Sequence, residues 1–325
     1  MKLFRNPNFD FIRWRWHAIA FSLLVILAGL WLVVSRGLPL GIDFSGGTIV
    51  VLDFEKPTGE DAVRAALQSL PGEEVVQTYG DPTAYQILVR LPQQEGAEQG
   101  AALSEGANAV IAGVEKAGLA PFRVVSTEIV GPSVGKDLQR KGLYATLASL
   151  VAITLYIAFR FRVSFAVGSI IATFHDILMT FAFLVFFKYE LSLNIIAAML
   201  TMVGYSVNDM IVIFDRVREN TRHSRREPLD KVINTSINQT LARTVITSGT
   251  VFLSVLALYL FGGDVLKGFA FTMLVGTLAT TYSGWFIAPS IAIMLSGKGG
   301  AQAQAPGTGT AAAPATRKPG RRRAS

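Results

Sequence analysis

Residues 163–187 read VSFAVGSIIATFHDILMTFAFLVFF, a run in which His175 and Asp176 are the only ionisable side chains. An α-helix rises about 1.5 Å per residue, so roughly 20 apolar residues cross a hydrocarbon core of ~30 Å. The run therefore predicts a membrane-spanning helix. Because ionisable groups are costly inside a membrane and usually serve a function there, the pair in the middle of this helix is a candidate functional site.

Five other segments are long and apolar enough to cross a membrane in the same way. They are residues 16–35, 142–159, 191–214, 244–263 and 268–296. With 163–187 they predict an α-helical polytopic membrane protein of six transmembrane helices, five of them gathered in a bundle over residues 139–296. The first segment follows basic residues, as a signal peptide does, but its apolar run is too long for one, and we expect an uncleaved anchor.

The composition agrees with a membrane protein, because 51% of the 325 residues are apolar and only 16% are charged, whereas soluble proteins carry about 25% charged residues. Cysteine is absent, which excludes disulfides, thiolate zinc sites and cysteine nucleophiles. The three histidines, His17, His175 and His223, are too few and too widely spaced for a multi-histidine metal site. We therefore expect no metal and no cofactor.

The basic residues indicate which way the helices point, because cytoplasmic loops collect Lys and Arg. The N-terminal residues 1–15, the turn at 160–162, the segment 216–231 and the tail are rich in them, and the alternate loops are not. Both termini are then cytoplasmic. The large loop 36–138, with a net charge of −7 against +14 for the rest of the chain, is periplasmic. The basic segments would lie against anionic lipid rather than bind DNA.

The periplasmic loop 36–138 has the pattern of a small α+β domain. Its alternating and helical segments follow the order βαββαβ, which predicts a ferredoxin-like fold. The segments are strand Gly47–Glu55, helix Glu60–Ser69, strands Glu74–Tyr79 and Ala84–Leu91, helix Ala101–Ala117 and strand Phe122–Val130, with a turn at 80–82 and a mobile loop at 93–100. The loop contains no His and no nucleophile–base pair, so we expect a binding or mechanical role.

Residues 41–48, GIDFSGGT, join the first transmembrane helix to this domain. Gly41, Gly46 and Gly47 permit a tight turn at the membrane surface. A structural turn and a mechanical hinge are equally compatible with them. A phosphate-binding loop is disfavoured, because the pattern matches neither glycine-rich fingerprint and no helix is predicted after it.

Two more transmembrane segments carry polar side chains in helical register. These residues, which we expect to face other helices rather than lipid, are Thr201, Tyr205, Asn208, Asp209, Arg243, Thr247, Thr250 and Ser254. Asp209 lies too deep for its short side chain to reach water easily, so a functional role and a structural hydrogen bond are its two interpretations. The same alternatives apply to Asp176, whose neighbour His175 points to a different helix face. Arg243 lies near the cytoplasmic end, where it could simply extend to water.

Two segments are expected at the cytoplasmic surface. Residues 228–242 have an amphipathic helical pattern and should lie along that surface. The basic tail 297–325 is rich in Gly, Ala, Pro and Thr, a composition typical of disorder. We expect attraction to lipid to be its role, with binding to ribosomal RNA as the weaker alternative.

Two packing expectations concern the bundle. Asp215 borders the basic loop and should pair with Arg216 or Arg218. The segment 268–296 carries a face of small residues suited to close helix packing, with no obvious partner within the chain. This face consists of Gly276, Thr280 and Gly284.

Five motifs together resemble the SecD/SecF family of protein-export membrane subunits, in the RND superfamily, and most closely its SecF members. They are GIDFSGGT at 41–48, VGPSVG at 130–135, HD at 175–176, GYSVNDMIVIFDRVREN at 204–220 and NQTLART at 238–244. The resemblance covers residues 1–296 in order and with matching topology, and the motif at 204–220 is long and specific. The tail 297–325 does not take part in it.

The resemblance implies a six-helix half-transporter of the bacterial cytoplasmic (inner) membrane that pairs with SecD. The pair would draw unfolded polypeptide outward at the SecY/SecE/SecG channel, with YajC as a further partner, using the proton gradient. The family's essential intramembrane Asp and Arg fall on Asp209 and Arg243, which implies a proton relay. Accessory polar residues would be His175, Asp176, Tyr205, Asn208 and Thr247.

Two other functions are compatible with parts of the pattern. An RND-type exporter of lipid or small solutes would share the proton site, but the loop 36–138 is far smaller than a solute pump's. An intramembrane aspartyl protease would use a pair such as Asp176 and Asp209. Asp209, however, follows Ser-Val-Asn rather than Gly-x-Gly, and the two depths differ. We therefore expect a translocase subunit and not an enzyme.

Overall fold

The computed structural model describes residues 7–68, 70, 75–79, 85–91, 101–223 and 227–299. These residues form a membrane-type helix bundle and a small α/β domain. In chain order the elements are α1 (Arg15–Arg36), α2 (Ile42–Ser45), β1 (Gly47–Phe54), α3 (Glu60–Leu67), β2 (Val75–Thr78), β3 (Gln86–Leu91), α4 (Ala101–Lys116), β4 (Phe122–Val130), α5 (Pro132–Arg160), α6 (Val163–Phe186), α7 (Leu193–His223), α8 (Leu229–Phe261) and α9 (Asp264–Gly299).

Six of the described helices, α1 and α5 to α9, are long and apolar enough to cross a membrane. This agrees with the six predicted transmembrane segments. Helices α6, α7 and α9 form the interior of the bundle and bury 56%, 44% and 50% of their most apolar stretches, whereas α1, α5 and α8 bury 17%, 6% and 17%. The outer three helices therefore present wide apolar surfaces, as expected of helices that face lipid or another membrane protein.

Several helices extend beyond the predicted segments. Helix α5 begins at Pro132, a residue well suited to the first turn of a helix, so the predicted domain boundary at 138 lies inside this helix. Helix α7 continues past residue 214 to His223. Helix α9 includes residues 297–299, and the rest of the predicted tail, 300–325, lies outside the described residues.

The predicted amphipathic segment 228–242 is not separate from the transmembrane helix that follows it. Helix α8 runs from Leu229 to Phe261 without interruption. Its apolar stripe, including Ile233, Ile237 and Leu241, is buried in a core cluster with Phe214 of α7 and Ala288 of α9. The stripe therefore packs on the bundle rather than on a lipid surface, because two neighbouring helices offer it an apolar partner.

The α/β domain has a four-stranded antiparallel sheet in the order β2-β3-β1-β4. With one helix after β1 and one after β3, this order agrees with the predicted ferredoxin-like arrangement. Helices α3 and α4 cover one face, where the buried core includes Val50, Leu52, Val63 and Val110. The predicted turn at 80–82 and loop at 93–100 lie outside the described residues.

The end of the bundle that carries the α/β domain, here called the domain side, contains the connection between α6 and α7. Its Leu191 exchanges backbone hydrogen bonds with the segment after α1: Gly41 N donates to Leu191 O at 2.7 Å, and Leu191 N donates to Pro39 O at 2.7 Å. The domain is thus joined to the bundle by noncovalent contacts as well as by the chain.

Candidate functional site

Asp209 lies on α7 and is buried in the helix bundle. It is only 5% exposed, and its Oδ2 atom is buried with no hydrogen-bond partner among the described residues. A buried carboxylate oxygen without a partner is costly unless the group takes up a proton or a cation approaches it. The structural hydrogen bond that the sequence left open as an alternative is therefore not made through this oxygen.

Arg243 on α8 is the positively charged residue that acts on the Asp209 carboxylate. No ion pair within 4 Å, however, joins the two in the part of the chain that the structure describes. Arg243 is exposed on the surface of the bundle. A guanidinium keeps its charge at any accessible pH, so it can attract the Asp209 carboxylate but cannot carry a proton itself.

A hydroxyl cluster connects three helices next to Asp209. The Tyr205 hydroxyl on α7 donates to Ser248 Oγ on α8 at 2.9 Å, and Thr281 Oγ1 on α9 donates to the same oxygen at 2.9 Å. Tyr205 lies four residues before Asp209, one helical turn away on the same face. The cluster fixes α7, α8 and α9 against one another beside the carboxylate.

His175 and Asp176 on α6 form a second polar site. Asp176 is completely buried, and its Oδ2 accepts a hydrogen bond from Ser206 Oγ of α7 at 2.6 Å. Its Oδ1 lies 3.1 Å from Nδ1 of His175, whose ring stacks on Tyr282 of α9. Consecutive residues of a helix point about 100° apart, so the sequence predicted different faces. The structure shows that the two side chains nevertheless meet.

The two polar sites lie close together along α7. Ser206, which binds Asp176, precedes Asp209 by three residues, so both sites contact the same face of this helix about one turn apart. Sequence analysis missed Ser206, Ser248 and the α9 residues at 281–283. A signal was available for the last group, because Thr281, Tyr282 and Ser283 follow Thr280 and complete a run of four hydroxyl side chains in an apolar helix.

Most of the predicted polar stripe of α8 lies on the surface of the described bundle, whereas Ser248 on the same helix is buried between helices. Arg243, Thr247, Thr250 and Ser254 are exposed, as are Thr201 and Asn208 of α7. A side chain added at Gly204 or Gly249 would meet nothing within 4 Å. We call this surface the open polar face and define it by Thr201, Gly204, Asn208, Arg243, Thr247, Gly249, Thr250 and Ser254. Such polar side chains are not suited to contact with lipid.

Two packing predictions also need correction. The small-residue face of α9 has a partner within the chain, because Gly276 packs against Met202 and Gly284 against Ile213, both on α7. Asp215 accepts two hydrogen bonds from Nη2 of Arg160, at 2.6 and 2.8 Å, instead of pairing with Arg216 or Arg218. No sequence pattern indicated this contact, since Arg160 lies on a different helix.

The three predicted hinge glycines differ in their surroundings. Gly46 and Gly47 have φ values of +72° and +128°, which favour glycine. Gly41 has an ordinary φ of −71°, but a Cβ there would lie 2.7 Å from the carbonyl oxygen of Leu191. Gly41 is therefore required by a close approach of two backbones, a reason that the sequence could not reveal.

Among the residues that the structure describes, no three His, Asp or Glu side chains are grouped as a metal site would require. The intramembrane polar groups are therefore a set of carboxylates, one imidazole, hydroxyls and a guanidinium. Such groups can exchange protons and hydrogen bonds. Because they lie between packed helices, each exchange alters the contacts between those helices.

Comparisons with known proteins agree with this architecture. The family described as "Protein export membrane protein SecD/SecF, C-terminal" matches residues 112–298, and the "SecD/SecF GG Motif" matches residues 31–58. Protein translocase subunit SecF of Escherichia coli O157:H7 is 41% identical over 288 residues, which cover 88% of each chain. SecF of Rhodothermus marinus is 40% identical over 93% of this chain and 98% of that protein.

A solved structure shows the same fold in a longer protein. The crystal structure of SecDF from Thermus thermophilus, described as a translocon-associated membrane protein, superposes with a TM-score of 0.79 at 34% identity. The match covers 90% of this chain and 39% of the SecDF chain, so this chain spans about two fifths of that protein. From the matched length, the identity and the shared fold, the chain belongs to the SecD/SecF family as a protein translocase subunit of the SecF type.

Proposed function

We propose that this chain is the proton-exchanging half of a two-part translocase, in which Asp209 binds and releases the proton. The observation that carries the proposal is the buried, unpartnered Oδ2 of Asp209 beside an Arg243 that forms no ion pair with the described residues. When Asp209 is ionised, Arg243 is attracted to it. When Asp209 is protonated, that attraction is lost and Arg243 is released. The exchange thus alters how α7 and α8 interact.

The open polar face supports a SecD partner. It lies on the same two helices as Asp209 and Arg243. Its hydroxyls donate to carbonyls of their own helices, but the exposed amide of Asn208 and the guanidinium of Arg243 need polar neighbours inside a membrane. A second six-helix protein with polar side chains of its own would supply them and would enclose Arg243. His175, Asp176, Tyr205, Asn208 and Thr247 would then surround the relay as accessory groups.

The proposed setting is the bacterial cytoplasmic membrane, with both termini in the cytoplasm and the α/β domain in the periplasm. There the pair would promote a late stage of translocation of unfolded polypeptide, next to the SecY/SecE/SecG channel and YajC. The distribution of basic residues supports this orientation. The orientation also places the α/β domain on the side where the polypeptide emerges.

The test is proton flux in vesicles that hold a trapped pH indicator. This chain reconstituted alone should conduct protons no faster than empty vesicles under an imposed gradient, because its relay is open on one face. The chain reconstituted with SecD should show flux, and Asp209→Asn in the same complex should abolish it. Robust flux by this chain alone would contradict the proposal that it is one half of a relay.

A further inference from the structure

The connection between α6 and α7 is held by the α/β domain at three separate points. The first is the backbone pairing of Gly41 and Pro39 with Leu191 described above. The second and third use side chains of the domain, Asp43 and Arg90. Together these contacts form what we call the junction clamp, defined by Pro39, Gly41, Asp43, Arg90, Glu190, Leu191 and Leu193.

Asp43 caps the helix that carries Asp209. Its Oδ2 accepts a hydrogen bond of 2.8 Å from the backbone N–H of Leu193, the first residue of α7. Ser192 Oγ accepts from Ile195 N at 3.3 Å, so two of the free N–H groups at this helix end are satisfied. A capping side chain ordinarily comes from the residue just before the helix, but Asp43 lies 150 residues away in sequence. Its negative charge also suits the positive end of the helix dipole.

Arg90 of β3 connects the sheet to both sides of the junction. Nη1 donates to Glu190 Oε2 at 2.9 Å, while Nη2 donates to Leu40 O at 2.9 Å and to Ser45 Oγ at 2.6 Å. The side chain is only 14% exposed, and that of Glu190 is 32% exposed. An ion pair so shielded, with three hydrogen bonds directed at three separate acceptors, fixes geometry better than an exposed pair does.

The segment that enters the α/β domain and the segment that leaves it also pack together. A Cβ at Gly135, in the first turn of α5, would lie 3.3 Å from both Phe44 O and Gly46 N of the junction. The start and the end of the α/β domain therefore contact each other where both meet the bundle. A domain held in this way has little freedom to turn about Gly46 and Gly47 unless the α6–α7 connection moves with it.

We infer that Asp43 and Arg90 are positioning residues that make the α/β domain follow α7. Leu193 and Asp209 are 16 residues apart on one unbroken helix, or about 24 Å. A rigid helix passes a displacement at one end to the other. This inference rests on the proposed function for the part that Asp209 plays: a change of charge there displaces α7, and the clamp transfers that displacement to the domain.

The test is a distance measurement between spin labels in the complete complex with SecD, in lipid. Lys116→Cys on α4 and Val265→Cys on α9 are exposed positions, and no native cysteine interferes with labelling. With the clamp intact, the distance distribution should be narrow, and Asp209→Asn should shift it. In the double variant Asp43→Ala/Glu190→Ala the distance distribution should broaden. Adding Asp209→Asn to this double variant should then no longer shift the distribution.

Two further variants keep the test specific. Leu193→Pro removes the N–H that Asp43 accepts from and replaces the leucine side chain by the proline ring, at a helix position where proline is tolerated, and should broaden the distribution in the same way. Arg123→Ala removes an ion pair with Asp53 that lies wholly inside the α/β domain, and should leave the distribution as in the unmodified chain.

An unchanged distribution in both clamp variants would overturn the inference, and so would the absence of a shift on Asp209→Asn with the clamp intact. Neither result decides the proposed function, which fails if proton flux through the complex survives Asp209→Asn.

Discussion

We expect that Asp209 and Arg243 cannot be exchanged for other residues of the same charge, because each has a specific environment. Arg243→Lys keeps the positive charge but loses the planar fork of five donors. We expect export that depends on the proton gradient to fall at least several-fold in this variant. Arg162→Lys, at an exposed helix start, is the matched control and should export normally. Equal activity of the two variants would show that only charge is needed at position 243.

A pH effect is expected in the α/β domain, outside the membrane. Two hydrogen bonds from Thr78, through Oγ1 and the backbone N–H at 2.7 Å each, lower the pKa of Glu60 from its usual 4.5. A lowered pKa means that the stabilisation is present above the usual pKa and is lost as the pH falls through the lowered value.

Hydrogen exchange at the Thr78 amide measures this effect. The protection factor should fall as the pH drops below the usual pKa of 4.5, and in Glu60→Gln it should be lower at neutral pH without that fall. A protection factor of the unmodified chain that stays constant over the same pH range would refute the assignment.

At this scale the sequence was sufficient to predict that Asp209 is buried, because its depth in an apolar helix can be counted from the helix end. It was not sufficient for the contact between His175 and Asp176. The two side chains can rotate towards each other although they leave the helix in different directions. Their contacts with Ser206 and Tyr282 determine that rotation. Gly41 is a similar case, since its constraint comes from a carbonyl group 150 residues later.

At the scale of single elements, α8 is the helix whose structure departs furthest from prediction. An amphipathic surface helix and the first turns of a packed helix have the same apolar spacing. No proline separates residues 229 and 261, so the sequence contained no signal for a break either. What decides between them is whether α7 and α9 present an apolar surface at that level, which is a tertiary property.

The packing of α8 can be tested with two matched substitutions on the same helix. Ile237 is fully buried in the core, and Ile246 is 45% exposed. Replacing Ile237 by Ala should destabilise the folded chain by about 2–5 kcal/mol, because it removes buried methyl groups and leaves a cavity. Ile246→Ala should cost much less. Thermal unfolding in detergent measures both, and equal shifts would indicate that residues 229–242 do not pack on the bundle.

On the scale of the whole molecule, the open polar face is the strongest indication that the fold is incomplete alone. The spacing of the polar residues in α8 predicted a stripe that faces other helices, but not the protein to which those helices belong. Periodicity shows which residues share a face, and does not show which helix lies against that face. The three outer helices, α1, α5 and α8, are arranged around α6, α7 and α9 and leave the stripe outside.

This face should be covered in the complex with SecD. A photo-activated cross-linker attached at Thr250→Cys or Ser254→Cys should capture SecD in native membranes. The same reagent at Val34→Cys should not capture SecD. Val34 is 82% exposed and lies on α1, a helix that packs mainly on α6 and α9. Capture of SecD from position 34 alone would place the interface on the opposite side of the bundle and contradict the assignment.

The central claim, that Asp209 carries the proton which drives export, is tested most directly by comparing export with the proton gradient intact and collapsed. Asp209→Asn keeps the shape and hydrogen-bonding capacity of the side chain but cannot titrate. We predict that the variant assembles with SecD and shows no component of export that depends on the gradient, whereas the unmodified chain loses that component only when the gradient is collapsed. Export by Asp209→Asn with the same gradient dependence as the unmodified chain would contradict the claim and leave Asp209 a structural residue.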